Sequence, residues 1–402
     1  MVSQKITGNT ALILVLGLLT AFGPMSIDMY LPAFPAIAAE FGVPVASVQY
    51  TLASFNVGIA LGQLIYGPLA DQLGRRPNLI AGLAVYSLAS IGCMFTNSVE
   101  SMVVLRFLQA IGGCTGMVIT RAIVRDKYHG NQSAKVFSTL MLIMGVAPIL
   151  APSVGSLVLD AFRWEYIFAL LALIGLLTLL YVVFFLPETL TPEKRNPLAL
   201  RNSFRTYGQL LRDQQFVGYS LTAGCIQSGM FAYITGSAYI FTQIFHLSGR
   251  QYSMLFGLNA VGIIGASQLN HKLLLHYSFS QILRKVTFLY LMAAGTLLLM
   301  AYTGWFGIYG IVVPLFFTLS TVGLAMPNAT AGALEKHAAH AGSASALVGT
   351  LQFSCGALAA VAVSVFANKT AIPMAAVIFT CSLLAFLFFG LLVHRKIKIN
   401  EA

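Results

Sequence analysis

A short polar segment, Gly67-Pro68-Leu69-Ala70-Asp71-Gln72-Leu73-Gly74-Arg75-Arg76-Pro77, lies between two long apolar runs of this chain. Because Gly and Pro interrupt helices, the segment predicts the end of one helix, a turn at Gly74 and a second helix that begins after Pro77. The flanking runs, 47–69 and 78–97, each have about the 20 residues that an α-helix needs to cross a bilayer. The segment therefore indicates two membrane-spanning helices joined by a very short charged loop.

The composition indicates that most of the chain is embedded in lipid. Of its 402 residues, 58% are hydrophobic and 9% are charged, and the mean hydropathy is +0.82. An ordinary soluble domain has about 25% charged residues, and no soluble fold of this length hides so much apolar surface. Runs long enough to span a membrane occur at 9–31, 47–69, 78–97, 99–122, 134–158, 165–186, 215–243, 250–274, 281–303, 306–330, 341–366 and 371–393.

The basic residues predict which side of the membrane each loop faces. The chain has 23 Lys and Arg against 12 Asp and Glu, a net charge of +11. If the N-terminus is cytoplasmic, nineteen of the 23 basic residues fall in cytoplasmic segments, and Arg163, Arg250 and Lys369 fall on the outer side. Cytoplasmic loops of membrane proteins are enriched in Lys and Arg, so both termini are predicted to be cytoplasmic. The positive charge is thus an orientation signal, and nucleic acid is not an expected partner.

The longest predicted loop, 187–214, divides the twelve runs into two sets of six. It contains three Pro and eight charged residues, so we interpret it as a cytoplasmic linker between two six-helix bundles, 1–186 and 215–402. Two packed bundles around a central cavity are typical of transporters. The predicted fold class is an all-α integral membrane protein with twelve transmembrane helices.

Two ionised side chains lie clearly within the predicted spans, Asp28 and Arg106. Such residues are costly in a membrane and are functional candidates by default. At ~1.5 Å per residue, Asp28 lies ~28 Å along the first span and Arg106 ~10 Å along the fourth, which runs in the opposite direction. Both therefore fall in the outer half of one bundle and are candidates for one cavity.

The environment of Asp28 predicts a role in proton coupling. Desolvation favours its neutral form, whereas a nearby guanidinium favours its charged form, so a group balanced in this way can bind and release a proton. The alternative, in which Asp28 only caps a helix end and Arg106 pairs with it for packing, stays open. Apolar residues up to Phe41 favour a helix that continues beyond Asp28.

Neutral polar side chains add further candidates. Tyr30 follows Asp28 closely, Gln109 shares a helix face with Arg106, and Asn56 and Gln63 share a face of the second span. The second half contributes Gln227, Tyr233, Asn259, Gln268, Asn328 and Gln352. Each of these alone is more often a hydrogen bond between helices than a ligand contact.

The loop at 67–77 contains a candidate conformational latch. Asp71 is predicted to accept hydrogen bonds from a neighbouring helix N-terminus, where the helix dipole favours an anion. A contact made in only one conformation would then hold the two halves together. The enrichment of basic residues in cytoplasmic loops explains Arg75 and Arg76, but not Asp71, Gly67 or Gly74.

The same loop resembles the G-x-L-a-D-r-x-G-r-r motif of the major facilitator superfamily. The segment Arg106-Phe107-Leu108-Gln109-Ala110-Ile111-Gly112-Gly113 is similar to the fourth-span R-x-x-Q-G motif of its twelve-span drug:proton antiporters, with Ala110 at the first Gly, and this implies that Arg106 takes part in proton coupling. The fifth span resembles the antiporter motif G-x-x-x-G-P-x-x-G-G, with Ala and Ser in place of some Gly, which implies a bend and close packing there. Its matching residues are Gly145, Pro148, Pro152 and Gly155.

The first-span string Ser26-Ile27-Asp28-Met29-Tyr30-Leu31-Pro32-Ala33-Phe34-Pro35, with 62–68 and 341–347, resembles the Bcr/CflA subfamily, which exports bicyclomycin, chloramphenicol, florfenicol and similar drugs. The resemblance implies a proton-coupled multidrug exporter of the bacterial inner membrane that works by alternating access. It implies no cofactor, since the proton gradient supplies the energy. The expected partners are the lipid bilayer, protons and small, mostly lipophilic drugs, and we expect a functional monomer. The loop 271–285 keeps only Arg284 and Lys285 of the charged latch pattern.

Two other functions are alternatives to export. An importer or exchanger of a small metabolite on the same fold stays open, although the fifth-span pattern favours an antiporter. A membrane enzyme would need a clustered nucleophile and base or a set of metal ligands. The H-x-x-H of His337 and His340, with His271 and His276, is too weak a pattern for either, so no catalytic residue and no metal site are predicted. Without a G-x-x-x-x-G-K loop, ATP drive within this chain is excluded.

Overall fold

The computed structural model describes residues 2–128, 130–195, 197, 199–337 and 341–394, and this part of the chain contains helices and no β-strand. The α-helices are α1 (Val2–Asp28), α2 (Phe34–Phe41), α3 (Val45–Leu73), α4 (Arg75–Met94), α5 (Val99–Lys127), α6 (Gly130–Ala161), α7 (Glu165–Phe185), α8 (Ala199–Leu210), α9 (Gln214–Tyr239), α10 (Gly249–Leu273), α11 (Phe279–Thr303), α12 (Gly307–Leu334), α13 (Ala341–Val365) and α14 (Ile372–Phe388). Each predicted apolar run coincides with one long helix.

Within the described residues, ten helical segments are long and apolar enough to cross a membrane. One of them runs from Leu12 to Phe41, so α1, a short 3-10 turn at Leu31–Ala33 and α2 form a single apolar element. The long helices α6 and α9 are not among the ten, and the apolar part of α6 is Val146–Ala161. The fold is thus an all-helical membrane fold.

The first span is interrupted directly after Asp28, where a continuous helix was predicted. α1 ends at Asp28, and the chain resumes through the 3-10 turn before α2 begins at Phe34. Pro32 opens the turn and Pro35 lies at the start of α2. Pro32 lacks the N–H group that would bond to the Asp28 carbonyl oxygen in a continuous α-helix, so the break follows from the sequence around it.

The segment at 67–77 forms the predicted turn with one correction. α3 ends at Leu73, Gly74 has a φ of +108°, and α4 begins at Arg75. The second helix therefore starts before Pro77 and not after it, because Pro is tolerated in the first turn, where N–H groups have no partner inside the helix. Gly is required at position 74 because side-chain-bearing residues rarely adopt this φ.

The linker contains a helix, α8, in a segment for which the sequence predicts only a loop. α8 packs against both α3 and α13, its Tyr207 and Leu210 are buried, and the Tyr207 hydroxyl donates to the carbonyl oxygen of Leu64 at 3.1 Å. The linker therefore contacts helices on both sides of it in the sequence.

The N-terminus of α9 is fixed by Asp213 at the end of the linker. Its Oδ1 accepts from the backbone N–H of Gln215 at 2.8 Å, and its Oδ2 lies 2.9 Å from Nε2 of His337. Partial burial acts to raise the pKa of Asp213, but the hydrogen bonds from Gln215, His337 and Phe216 outweigh it and hold this pKa below its usual value. Asp213 thus ties α9 to the segment after α12.

Helices α1–α7 (the first half) pack mainly on one another, as do α9–α14 (the second half). The larger contacts between the halves join α3 to α13 and α6 to α10. Gln49 of α3 donates from Nε2 to the carbonyl oxygen of Thr235 at 2.8 Å, and its Oε1 accepts from the Ser364 hydroxyl at 3.0 Å. At the contact between α6 and α10, the hydroxyls of Ser156 and Ser253 lie 2.8 Å apart.

Candidate transport site

Asp28 is buried at the contact between the two halves. It is the last residue of α1, its exposed fraction is 4%, and within the described part of the chain its carboxylate has no hydrogen bond or ion pair. It lies within electrostatic range of the hydroxyl groups of Tyr233 on α9 and Tyr252 on α10. A change in its charge is therefore felt directly by the second half.

Arg106 is fully buried in the first half. Its Nη2 donates to the carbonyl oxygen of Ser26 at 2.9 Å, and its Nη1 donates to Oε1 of Gln109 at 2.6 Å. Gln109 in turn donates to the Ser90 hydroxyl at 2.7 Å. The ion pair of Arg106 with Asp28, which the packing alternative required, is not formed among the described residues. Arg106 instead binds the backbone two residues before Asp28, which fixes the last turn of α1.

Aromatic rings surround the Arg106 guanidinium. Its central carbon lies 4.7 Å from the ring centre of Tyr30, 4.3 Å from that of Phe55 and 5.8 Å from that of Phe168. Rings at these distances stabilise a cation through their negative faces. The Tyr30 hydroxyl lies 3.0 Å from that of Thr51, so Tyr30 contributes to this cage and packs inside the first half.

In the second half, the two tyrosines in electrostatic range of Asp28 belong to an aromatic wall, which consists of Tyr233, Tyr252, Phe256 and Asn259. Nδ2 of Asn259 donates to the Tyr233 hydroxyl at 3.0 Å, and the rings of Tyr233 and Phe256 stack with their centres 5.5 Å apart. The Tyr252 hydroxyl lies 3.0 Å from that of Ser237. Oδ1 of Asn259 is buried and has no partner among the described residues, so this wall holds a free hydrogen-bond acceptor.

The latch candidates form an ion network inside the first half. Nη1 of Arg75 lies 2.6 Å from Oδ1 of Asp71, and its Nε lies 3.1 Å from Oδ2 of Asp126 on α5. Arg75 is 2% exposed, whereas the Asp71 side chain is 48% exposed, so the network is buried at Arg75 and open to water at Asp71. The predicted contact of Asp71 with a helix N-terminus is not made in this conformation, because Asp71 pairs with Arg75 of its own loop.

A different carboxylate, that of Glu188 in the linker, binds the N-terminus of α4. Its Oε1 accepts from the N–H of Arg75 at 3.0 Å and its Oε2 accepts from the N–H of Arg76 at 3.1 Å. Oε1 also accepts from the N–H groups of Thr189 and Leu190. This is the anion position that the dipole of α4 favours. A side chain added at Gly74 would collide with Glu188.

Comparison with known proteins identifies the family. The sequence profile described as Major Facilitator Superfamily matches residues 16–360. The chain belongs to the Major Facilitator Superfamily. It is 37% identical over 394 residues to the uncharacterized MFS-type transporter YdgK of Bacillus subtilis, with 96% of each chain covered. A crystal structure of a D-xylose–proton symporter has a TM-score of 0.73 at 16% identity and covers 96% of this chain and 98% of its own, which shows the shared fold.

Two further relatives of this superfamily member have names that refer to drug resistance. The bicyclomycin resistance protein homolog of Haemophilus influenzae is 33% identical over 386 residues, which cover 96% of this chain and 97% of the relative. The chloramphenicol resistance protein of Pseudomonas aeruginosa is 30% identical over 404 aligned positions, with 96% and 91% covered. They confirm the resemblance to the Bcr/CflA subfamily. The chain is thus a multi-pass transporter of the bacterial inner membrane.

In this major facilitator protein, the fifth-span motif packs directly on the segment that holds Asp28. Gly155 of α6 lies so close to Met29 that an added Cβ would collide with the Met29 carbonyl oxygen. Pro152 lies inside α6, and its carbonyl oxygen accepts from the Ser253 hydroxyl at 3.2 Å. Gly145 and Pro148 also lie inside α6. Both halves therefore meet α6 next to Asp28.

Asn56 and Gln63 are both buried on α3, but their surroundings differ. Gln63 packs against Gly349 of α13 so closely that a Cβ at position 349 would overlap its amide. Both amide atoms of Asn56 are buried and have no partner among the described residues. Gln63 thus belongs to the contact between the halves, and Asn56 carries an unused hydrogen-bonding group. Gly67 has open space around it and contributes no close packing.

The sequence reading missed Tyr252, Glu188 and Gln49. Tyr252, Phe256 and Asn259 follow one another at helical spacing on α10, and this pattern of one face could have shown the wall. Glu188 follows α7 in the first polar residues of the linker, but its sequence gives no sign of which helix end it meets.

Proposed function

We propose that this protein is a proton-coupled drug exporter that exchanges a drug for protons by alternating access. One observation carries the proposal: the buried Asp28 carboxylate lies at the contact between the halves, opposite Tyr233 and Tyr252, without a counter-ion among the described residues. An uncompensated charge is costly there. The site therefore favours either a proton or a substrate at Asp28 before the halves close on it.

The relatives support drugs as the substrate class, because bicyclomycin and chloramphenicol resistance are named in two of them. The chemistry of the wall agrees with this class. Stacked rings offer apolar area to a lipophilic drug, while Oδ1 of Asn259 and the tyrosine hydroxyls offer a few hydrogen-bonding positions. Small-molecule sites are typically lined by mostly apolar side chains with a few polar groups, and the wall has this composition.

We propose twelve transmembrane helices, with α6 and α9 added to the ten apolar segments, and cytoplasmic termini. The nineteen basic residues on one side support this topology. The six-helix bundles are 1–186 and 215–402, with 187–214 as the linker. In this topology, the hydrogen bonds of Gln49 with Thr235 and Ser364 lie near the outer surface. They support a conformation that is closed towards the outside.

The transport cycle starts in the opposite, outward-open conformation. A proton from outside neutralises Asp28 and weakens its hold on a bound drug, which leaves. The neutral carrier turns inward, and there Asp28 releases its proton and the drug binds. Coupling is reciprocal, so a proton that lowers drug affinity must itself bind less tightly when drug is present. A membrane potential of 100 mV supplies roughly 2.3 kcal/mol for each charge that moves inward.

Other residues hold this site in place in the proposed cycle. Arg106, with Gln109 and Tyr30, fixes the last turn of α1 through the Ser26 carbonyl oxygen. Asp71, which pairs with Arg75 inside the first half in this conformation, acts as the latch on the cytoplasmic side. Asp71 is 48% exposed on its side chain, which leaves it accessible to a partner on the second half when the cytoplasmic side closes.

Asp28→Asn tests this function directly in proteoliposomes that carry a pH-sensitive dye. The variant keeps the shape of the side chain but cannot exchange a proton, so we expect drug-dependent proton movement to disappear while the protein still folds and inserts. Asp160→Asn is the matched control, because Asp160 is an exposed acid near the end of α6 and its loss should leave proton movement unchanged. Normal exchange by Asp28→Asn would contradict the assignment.

A susceptibility panel tests the direction of transport. In cells without their own pumps, the protein should raise resistance to several lipophilic drugs, and Asp28→Asn should not. Drug accumulation inside cells that express the protein would instead show an importer.

A further inference from the structure

The structure contains a basic cavity at the membrane surface, away from the transport site. It has a volume of about 510 Å³ and is lined by Arg76, Pro77, Ile80, Ala81, Glu188 and Arg195. It lies where α4 begins and α7 ends, and both helices are membrane-spanning candidates. The cavity therefore lies at the boundary between lipid and water.

The charges of this cavity leave a net attraction for an anion. The Glu188 carboxylate is already bound by four backbone N–H groups, two of them at the start of α4. Arg76 donates from Nη2 to the carbonyl oxygen of Val183 and from Nε to that of Val182. Its Nη1 donates to no described residue. The Arg195 side chain is exposed and makes no contact that satisfies its donors in the described part of the chain. Two guanidinium groups thus face the cavity with donors to spare.

The cavity opens onto an apolar track along α4. Pro77 and Ala81 of the cavity are exposed, and the same helix face continues with Val85, Leu88 and Ile91, which are 37%, 68% and 37% exposed. Residues at this spacing form one stripe along a helix. A molecule with a negative head and a long apolar chain fits the cavity and the track together.

We propose that this cavity binds the phosphate headgroup of an anionic phospholipid, with one acyl chain along the exposed face of α4. Arg is suited to phosphate because its planar guanidinium donates two parallel hydrogen bonds, and basic pockets between transmembrane helices are known to bind such headgroups. The site adjoins Arg75 and the latch network, so the lipid holds the start of α4 and the linker together. It does not depend on what the protein transports.

Native mass spectrometry of the purified full-length protein tests the site. The delipidated protein is given equal amounts of phosphatidylglycerol and phosphatidylcholine with the same acyl chains. We expect wild type to retain one phosphatidylglycerol in preference, and Arg195→Gln to lower that preference about fivefold, the loss expected for one Arg near a membrane surface. Arg195→Lys should keep part of it. Arg201→Gln removes the same charge from the exposed face of α8 and should change nothing.

Further variants separate the apolar track from simple charge attraction. Ala81→Phe fills the entry of the track and keeps both Arg residues, so it should also lower phosphatidylglycerol retention. Equal losses in Arg195→Gln and Arg201→Gln, or no preference in wild type, would overturn the proposal. Displacement of the lipid by millimolar glycerol 3-phosphate would overturn the lipid assignment, since it would show that the acyl chain contributes nothing. Thermal unfolding of each variant verifies that it is folded.

Discussion

Replacing Gln49 by Leu removes two hydrogen bonds that join the halves. Nε2 of Gln49 donates to the Thr235 carbonyl oxygen on α9, and its Oε1 accepts from the Ser364 hydroxyl on α13. Gln49 is 3% exposed, so water cannot replace these bonds while the halves are closed. In the open state the amide is solvated. The substitution therefore weakens the closed state more than the open one.

The size of the effect follows from the groups that remain. Each hydrogen bond contributes about 0.5–1.5 kcal/mol net, and a buried group that loses every partner costs about 1–3 kcal/mol. The Ser364 hydroxyl keeps the Ala360 carbonyl oxygen at 2.9 Å, and the Thr235 carbonyl keeps its partner within α9. The full penalty is thus avoided. For the two bonds together we expect a shift of about 1–3 kcal/mol towards the open state, roughly a 5- to 160-fold change in the equilibrium.

Distances between spin labels at the ends of α3 and α9, measured by double electron–electron resonance in nanodiscs, report this equilibrium. The control is Ser54→Ala, because Ser54 lies on the same helix but donates to Val103 inside the first half at 2.7 Å. It should leave the distance distribution unchanged. A double-mutant cycle of Gln49→Leu with Ser364→Ala should show coupling of about 0.5–1 kcal/mol.

An unchanged distance distribution in Gln49→Leu would refute the reasoning. Strictly additive effects in the cycle would show that Gln49 and Ser364 act independently, in spite of their contact. Either result would remove Gln49 as a determinant of closure.

Four further substitutions, one of them a control, test the site and its supports. Gly155→Val should push α6 away from Met29, which should lower the free energy of unfolding by about 1–3 kcal/mol and also reduce proton-coupled transport. Gly67→Ala is the control, because Gly67 has open space around it, and it should leave both the unfolding and the transport measurements unchanged. Glu188→Gln should lower the free energy of unfolding by about 0.3–1 kcal/mol, because it removes the negative charge at the start of α4. Thermal unfolding at low and high salt measures this loss, and an equal loss at both salt concentrations would contradict a charge effect. Because the pKa of Asp213 is lower in the folded state, its charge stabilises the protein above about pH 4, and this stability is lost as the pH falls through that pKa. Asp213→Asn should therefore melt earlier than wild type at neutral pH, and the difference should shrink in acid.

The sequence predicted the location of the helices well because membrane insertion depends on local composition. The apolar runs coincide with the long helices, and the turn at Gly74 was predicted from its residue type. Pro32 and Pro35 indicate a break after Asp28. The sequence nevertheless predicts a continuous helix there, because the residues up to Phe41 are apolar. The exact partners of charged groups were harder to predict. Arg106 was expected to meet Asp28, and it binds the Ser26 carbonyl oxygen and Gln109 instead.

The sequence alone determined that this protein lies in a membrane, where its long apolar helices lie and which family it belongs to, because hydropathy, Pro and Gly positions and short motifs are local properties. It also singled out Asp28, since an acid in an apolar run is visible without a structure. Only the tertiary structure decided that Asp28 faces Tyr233 and Tyr252, and that Glu188 rather than Asp71 takes the start of α4. These choices depend on how distant segments approach one another. A carboxylate binds whichever donor the packing brings near. The spacing of residues along the chain does not determine the distance between a carboxylate and a donor on a distant segment.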